Sequence, residues 1–204
     1  MTRVGVLALQ GGVAEHVYML RRASEQAGIP VDIVLVKRRE QLSDLAAIVV
    51  PGGESTTIGK LMQRLGLIQP LQALLEDGAA AMGTCAGAAI MASVVKDRVV
   101  GETNQPLLAV MDIEVVRNYF GRQRESFEAP VEIPVLGEKP FPGVFIRAPA
   151  IVRAWGGAKI IARLSWASNV GVAAVQDNKI ALAFHPELTS DTRLHKMLIE
   201  LAKR

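Results

Sequence analysis

The chain has 204 residues, half of them apolar and 21% charged, which suits one buried core and excludes a disordered polymer. Its 23 basic and 20 acidic residues leave a net charge of +3 with no block of like charge, so a nucleic-acid arm is not expected. A single cysteine excludes an internal disulfide framework and a cysteine-built zinc site.

In chain order, Val4 to Leu9 reads as a buried strand closed by a Gly11-Gly12 turn. Residues 13 to 27 carry helical spacing through Val13, Val17, Leu20 and Ala27, and Gly28-Ile29-Pro30 stops them. Val31 to Val36 is a second strand. Ala46 to Val50 is a third, cut off by Pro51-Gly52-Gly53. Helices are predicted at 56–64 and 68–77, then a strand from Ala79 to Gly83 and an apolar helical stretch from Ala88 to Val94. Beyond that point strands dominate, at 110–116, 130–135, 143–147, 159–165, 171–176 and 179–184, before a closing helix at 191–203.

Strand–helix alternation followed by a run of strands predicts an α/β fold with a mostly parallel sheet flanked by helices and an antiparallel extension in the second half. One domain over 1–204 is expected, because no repeat or linker divides the chain. Met1-Thr2-Arg3 leads directly into a strand pattern, unlike a signal peptide, and no run of about 18 apolar residues occurs. A cytoplasmic enzyme without membrane contact is the expectation.

Ligand sites of open α/β sheets gather at the carboxyl ends of strands. Four loops fall there: Gln10-Gly11-Gly12, Pro51 to Thr56, Thr84-Cys85-Ala86 and His185-Pro186-Glu187. Gly83-Thr84-Cys85-Ala86-Gly87 has the form of a nucleophile elbow with cysteine in the serine position. The turn would aim the Ala86 N–H at a bound carbonyl and set Cys85 at a helix N-terminus, which favours a thiolate. A buried structural cysteine is the competing reading. His185 can take the thiol proton and return it to a leaving amine, and Glu187 can orient the imidazole. A strand-end histidine beside a helix-start acid is the plainer alternative.

The glycine loop at 51–56 lacks the spacing of a phosphate-binding Walker loop, and Leu61 stands where that loop needs a hydroxyl. The Gly53 N–H could instead complete an oxyanion hole, or the glycines could simply permit a turn. His16 is expected on the surface or at an interface and His195 on a solvated helix face, with Trp155 and Trp166 in packing roles.

Gly-Thr-Cys-Ala-Gly at 83–87, Pro-Gly-Gly-Glu-Ser-Thr at 51–56 and His-Pro-Glu at 185–187 together resemble the class I (triad) glutamine amidotransferases, which have a flavodoxin-like fold. More narrowly, Arg117 to Gln123, Ser126 to Ala129, Val144 to Pro149 and Phe184 to Thr189 resemble the glutaminase subunits of pyridoxal 5'-phosphate synthase. That resemblance implies hydrolysis of L-glutamine to L-glutamate and ammonia through a thioester on Cys85, with His185 and Glu187 completing the triad. It implies an oxyanion hole at Gly53 and Ala86, and substrate contacts at Gly53, Glu54, Ser55, Arg117, Ile146 and Arg147. Gln10 resembles a glutamine near the family's oxyanion hole and partner interface. The partner so implied is a (β/α)8-barrel synthase subunit in a hetero-oligomer that consumes the ammonia in vitamin B6 synthesis; the glutaminase itself binds no cofactor. Tyr119 departs from the small residue common there, and the segments Ala23–Asp32 and Val95–Leu108 differ in length. A glutaminase serving another synthase, or a cysteine hydrolase or peptidase on a similar elbow, are the alternatives.

Overall fold

The computed structural model describes residues 1–203. Its first half alternates as expected: β1 (Thr2–Leu7), α1 (Val13–Ala27), β2 (Val31–Val36), β3 (Ala47–Val50), α2 (Ser55–Arg64), α3 (Ile68–Glu76), β4 (Ala80–Thr84) and α4 (Ala86–Met91). The second half continues with β5 (Ala92–Asp97), β6 (Gly101–Glu102), β7 (Met111–Arg117), β8 (Phe127–Val131), β9 (Phe141–Phe145) and β10 (Ala150–Ala154). It closes with β11 (Lys159–Leu164), β12 (Ala167–Gln176), β13 (Lys179–Leu182) and α5 (Arg193–Leu201).

Eleven strands form one sheet in the order β2-β1-β3-β4-β13-β12-β10-β7-β5-β6, with β11 on β12, while β8 and β9 pair separately. From β2 to β13 every pairing is parallel, and β12 opens the antiparallel extension. The last parallel strand, β13, comes from the far end of the sequence and lies against β4. This crossover brings residues near 185 beside residues near 85.

Alternation along the parallel strands divides the core into two faces. Leu7, Ile48, Val50 and Ala81 meet Ile58, Met62, Leu71 and Leu75 of α2 and α3. Val4, Val6, Ala47, Val49 and Met82 meet Leu20 and Ala23 of α1 and Leu194, Leu198 and Ile199 of α5.

Three sequence readings need correction. The helix expected to reach Val94 ends at Met91, and Ala92–Asp97 is a strand paired with β7. Val94 and Val95 are stiff at χ1 and prefer the pleated sheet. The strand expected at 130–135 lies earlier, at Phe127–Val131, and gives way to a 3₁₀ turn over Pro134–Leu136. Pro134 cannot donate to a ladder. Trp166 is 63% exposed and meets Phe120 and Phe127 edge-on at 5.7 and 5.3 Å between ring centres.

Candidate active site

Cys85 links β4 to α4 with φ +50° and ψ −105°, a strained backbone for any residue with a Cβ. Its N–H is tied to Leu182 O of β13 at 2.8 Å, which fixes the turn against the neighbouring strand. A Cβ on Gly87 would stand 1.9 Å from Val50 O, so only glycine lets α4 start flush against β3. The Cys85 side chain is almost wholly buried at the floor of a cleft, with Sγ 3.8 Å from Ile146 O.

His185 follows β13, and its N–H donates to Val144 O of β9 at 2.9 Å. Its Nδ1 lies 2.7 Å from Glu187 Oε1, and the two side chains are 13% and 1% exposed. Burial opposes a charge on His185, but hydrogen bonds to Cys85 and Glu187, reinforced by the charges of both groups, raise its pKa to about 10. The imidazole is therefore a cation at neutral pH, held beside the sulfur of the candidate nucleophile.

Gly52 supports the pair from below: a Cβ there would fall 2.5 Å from His185 Cε1 and 3.3 Å from Cys85 Cβ. Gly52→Ala is expected to push the ring aside and lower turnover by on the order of 100-fold while the protein stays folded. Steady-state kinetics beside a thermal melt would check this, and unchanged kinetics would refute the packing argument.

The cleft has a volume of about 310 Å³, and Gly53, Glu54, Ser55, Arg117, Ile146 and Arg147 all line it together with Cys85, Ala86, His185 and Glu187. Gly52 N–H donates to Thr84 Oγ1 at 3.0 Å, and Gly12 N–H to Gly52 O at 3.1 Å, so the glycine loop is held from both sides. Gln10 Oε1 accepts the Glu54 N–H at 2.8 Å and would sit 2.3 Å from a Cβ on Gly53. Among the described residues the N–H groups of Gly53 and Ala86 have no hydrogen-bond acceptor.

The polar residues of the cleft are not equally free. Glu54 caps α2, accepting Thr56 N–H at 3.0 Å and Thr57 N–H at 2.7 Å. Burial raises its pKa, but bonds from Thr57 and Thr56 outweigh that and keep it below the usual range. Arg117 donates to Thr56 Oγ1 at 2.8 Å, Gln105 Oε1 at 2.6 Å and Glu54 Oε1 at 3.3 Å. Ser55 Oγ also donates to Gln105, at 3.0 Å. Arg147 is exposed, has φ +46° and lacks an ion-pair partner among the described residues.

Sequence reasoning missed Gln105, which gathers Ser55 and Arg117 from a segment read as variable. It also misplaced two histidines. His16, expected on the surface or at an interface, and His195, expected on a solvated face, are both fully buried between α1 and α5, His16 reaching Thr84 Oγ1 at 3.1 Å. A neutral imidazole with partners on its nitrogens can enter a core, and the amphipathic faces of α1 and α5 carry both rings inward.

The chain matches the SNO glutamine amidotransferase family over residues 6–204. It is 57% identical to the pyridoxal 5'-phosphate synthase subunit PdxT of Aeropyrum pernix, over 99% of this chain and 100% of that one. It is 53% identical to the PdxT of Staphylothermus marinus, over 97% of each. Among solved structures, a crystal structure of a glutamine amidotransferase superposes with a TM-score of 0.83 at 44% identity, covering 98% of this chain and 99% of that one. Another glutamine amidotransferase, from Thermotoga maritima, shares the fold at a TM-score of 0.63 and 14% identity, covering 99% of this chain and 90% of that one.

Proposed function

The chain belongs to the SNO glutamine amidotransferase family, and from that premise we propose that Cys85, His185 and Glu187 hydrolyse L-glutamine in the cleft. It is a glutaminase subunit serving pyridoxal 5'-phosphate synthesis and works with a synthase partner. The observation that carries the residue assignment is the Glu187–His185 contact of 2.7 Å beside a strained, buried cysteine.

Cys85 Sγ attacks the carboxamide carbon, and the carbonyl oxygen takes the negative charge. The N–H groups of Gly53 and Ala86 are left to receive that oxyanion. The intermediate collapses with cleavage of the C–N bond while His185 gives its proton to the departing ammonia. The thioester is then hydrolysed: His185 takes a proton from water, hydroxide adds to the acyl carbon, and the C–S bond breaks to release glutamate. Glu187 keeps the imidazole in one orientation through both halves. No step needs a metal or cofactor.

Arg147 is the cation assigned to the substrate's α-carboxylate, and Arg117 holds Glu54, Ser55 and Gln105 in a fixed wall behind it. Ile146 and the backbone of Glu54 and Ser55 complete the pocket. Arg147→Ala is expected to raise KM about 10- to 100-fold with kcat little changed, since a charge-assisted hydrogen bond contributes about 1.5–3 kcal/mol. A fall in kcat at unchanged KM would contradict that role.

The partner is a (β/α)8-barrel synthase subunit, docked at the cleft mouth beside Gln10, and the chain acts in the cytoplasm as a single glutaminase domain. No helix among the described residues is long and apolar enough to cross a membrane. Glutamate release by the isolated chain is expected to be slow and to rise when a pyridoxal phosphate synthase barrel subunit is added. Cys85-dependent activity indifferent to that partner would point to another synthase.

The raised pKa of His185 also sets a pH limit. Ammonia departure needs the imidazolium, so kcat/KM should hold through pH 8–9 and fall as pH passes about 10. An alkaline limb near pH 7 would contradict the ion pair.

A further inference from the structure

Behind Glu187 lies a polar chain that hydrolysis, as written above, leaves without a task. His195 Nε2 is 2.9 Å from His16 Nδ1, and His16 Nε2 is 3.1 Å from Thr84 Oγ1 and 3.3 Å from Glu187 Oε2. The Thr84 contact has hydrogen-bond geometry; the Glu187 contact is close but imperfectly aligned, and Oε2 has no hydrogen-bond partner among the described residues. Oε1 of the same carboxylate holds His185. A line of close side-chain contacts therefore runs from the triad to the last helix, with one imperfectly aligned link between His16 and Glu187.

The proton positions follow from burial. Desolvation, and after it the neighbouring His195 and His185, keep His16 neutral with a pKa well below 6.5. Desolvation brings His195 to about 3. Two neutral rings carry one proton each. Were His16 protonated at Nδ1, its bare Nε2 would face Glu187 Oε2, a lone pair against a carboxylate that is 1% exposed. The opposite tautomer suits nearly every atom. His195 Nε2–H donates to His16 Nδ1, and His16 Nε2–H points between Thr84 and Glu187. Among the described residues, His195 Nδ1 is left without a partner, as an acceptor, and Glu187 Oε2 has only the imperfectly aligned His16 N–H; buried orphan acceptors are commoner than orphan donors.

We propose that His16 is a positioning residue for the triad: its neutral N–H holds Glu187 so that the other carboxylate oxygen stays on His185, and His195 fixes the His16 tautomer. A neutral donor orients the carboxylate without cancelling its charge, which an arginine or lysine at the same place would do. The charge remains directed at His185. This inference rests on the triad reading given above.

The test uses the full chain with its synthase partner, comparing His16→Leu, His16→Gln and His195→Leu. The Gln amide nitrogen reaches about where His16 Nε2 stands. His16→Leu is expected to lower kcat about 10- to 100-fold, part of what positioned acid–base catalysis contributes, with KM within about twofold. His16→Gln should regain most of that loss, and His195→Leu should fall between.

Two pH profiles separate positioning from mere stability. The titratable and charged groups around His185 are Cys85 of the β4–α4 turn, Glu187 of its own turn and His16 of α1, with Glu15 of α1, Glu54, Arg117 and Arg147 lining the same cleft. Of these, His16→Leu disturbs the hold on Glu187. The alkaline limb of kcat/KM should then move down from about pH 10, and the pH profile of Cys85 alkylation by iodoacetamide should shift with His185, which faces the sulfur. A purely structural role would scale amplitudes and leave both midpoints in place.

Wild-type kcat and unmoved profiles in folded His16→Leu would overturn the proposal, as would His16→Gln no better than His16→Leu. If His16→Leu fails to fold, His16→Gln at wild-type kcat with His195→Leu shifted supports it, and His195→Leu at wild-type values overturns it. The alkylation readout needs no substrate. A shift there without glutaminase activity in the wild type would sink the proposed reaction and leave the positioning intact.

Discussion

Replacing Cys85 with alanine is expected to lower glutamate release by on the order of 10⁵-fold or more, the scale seen when a triad nucleophile is removed. Cys85 is the only sulfur nucleophile of its kind in the chain, and no other cysteine can substitute. The residual rate would come from the oxyanion donors and the cleft alone. Stability should change little. The cysteine holds φ +50°, a strain alanine would inherit, and His185 keeps its 2.7 Å contact to Glu187. Glutamate release measured with the barrel partner present, beside a thermal melt, checks both halves. A folded Cys85→Ala protein with more than about a hundredth of wild-type turnover would be incompatible with the loss of a nucleophile.

Glu187→Gln carries the second-largest expected effect, a fall in kcat of roughly 10³- to 10⁴-fold at similar shape and volume, the scale found when an acid behind a catalytic histidine becomes an amide. Oε1 accepts from His185 Nδ1 at 2.7 Å, and Oε2 approaches His16 Nε2 at 3.3 Å. A glutamine amide offers one oxygen and one NH₂ group to these two nitrogens. If the oxygen faces the His16 N–H, the NH₂ faces His185 and forces its proton onto Nε2. That tautomer is wrong for a ring that must exchange a proton with sulfur. Loss of the carboxylate charge also removes one of the groups that raise the His185 pKa, so the alkaline limb should drop below pH 10. Kinetics across pH 6–11 on a variant of unchanged melting temperature make the comparison. A modest, pH-independent loss would mean that Glu187 supports packing rather than charge.

Much of this site was legible because its parts are local. Gly83 to Gly87 encodes a turn that few other residues could make, and His185-Pro186-Glu187 places base and acid two residues apart. Parallel strands β1, β3, β4 and β13 announce themselves as short apolar runs that end in glycine or polar loops. What escaped notice depends on partners far away in the sequence. His16 and His195 meet across 179 positions, and His16 and Thr84 across 68. Each histidine lies within an ordinary amphipathic helix, where nothing local separates a buried ring from an exposed one. Gln105 escaped for the same reason, since its value lies in Ser55 and Arg117 converging on one oxygen. The β5 strand was missed because an alanine-rich helix runs into it without a breaker. Parallel pairing with β7, which the β-branched Val94 and Val95 favour, ends that helix.

The most direct test of the central claim is covalent labelling with a glutamine analogue that carries a diazoketone in place of the carboxamide. The wild-type chain, assayed with its barrel partner, should lose activity in step with one label per chain, and peptide mapping should find that label on Cys85. Glutamine should protect, and His185→Ala should label slowly. A label on another residue, or a chain labelled at Cys85 that still releases glutamate at the wild-type rate, would contradict the assignment of this cleft as the glutaminase centre.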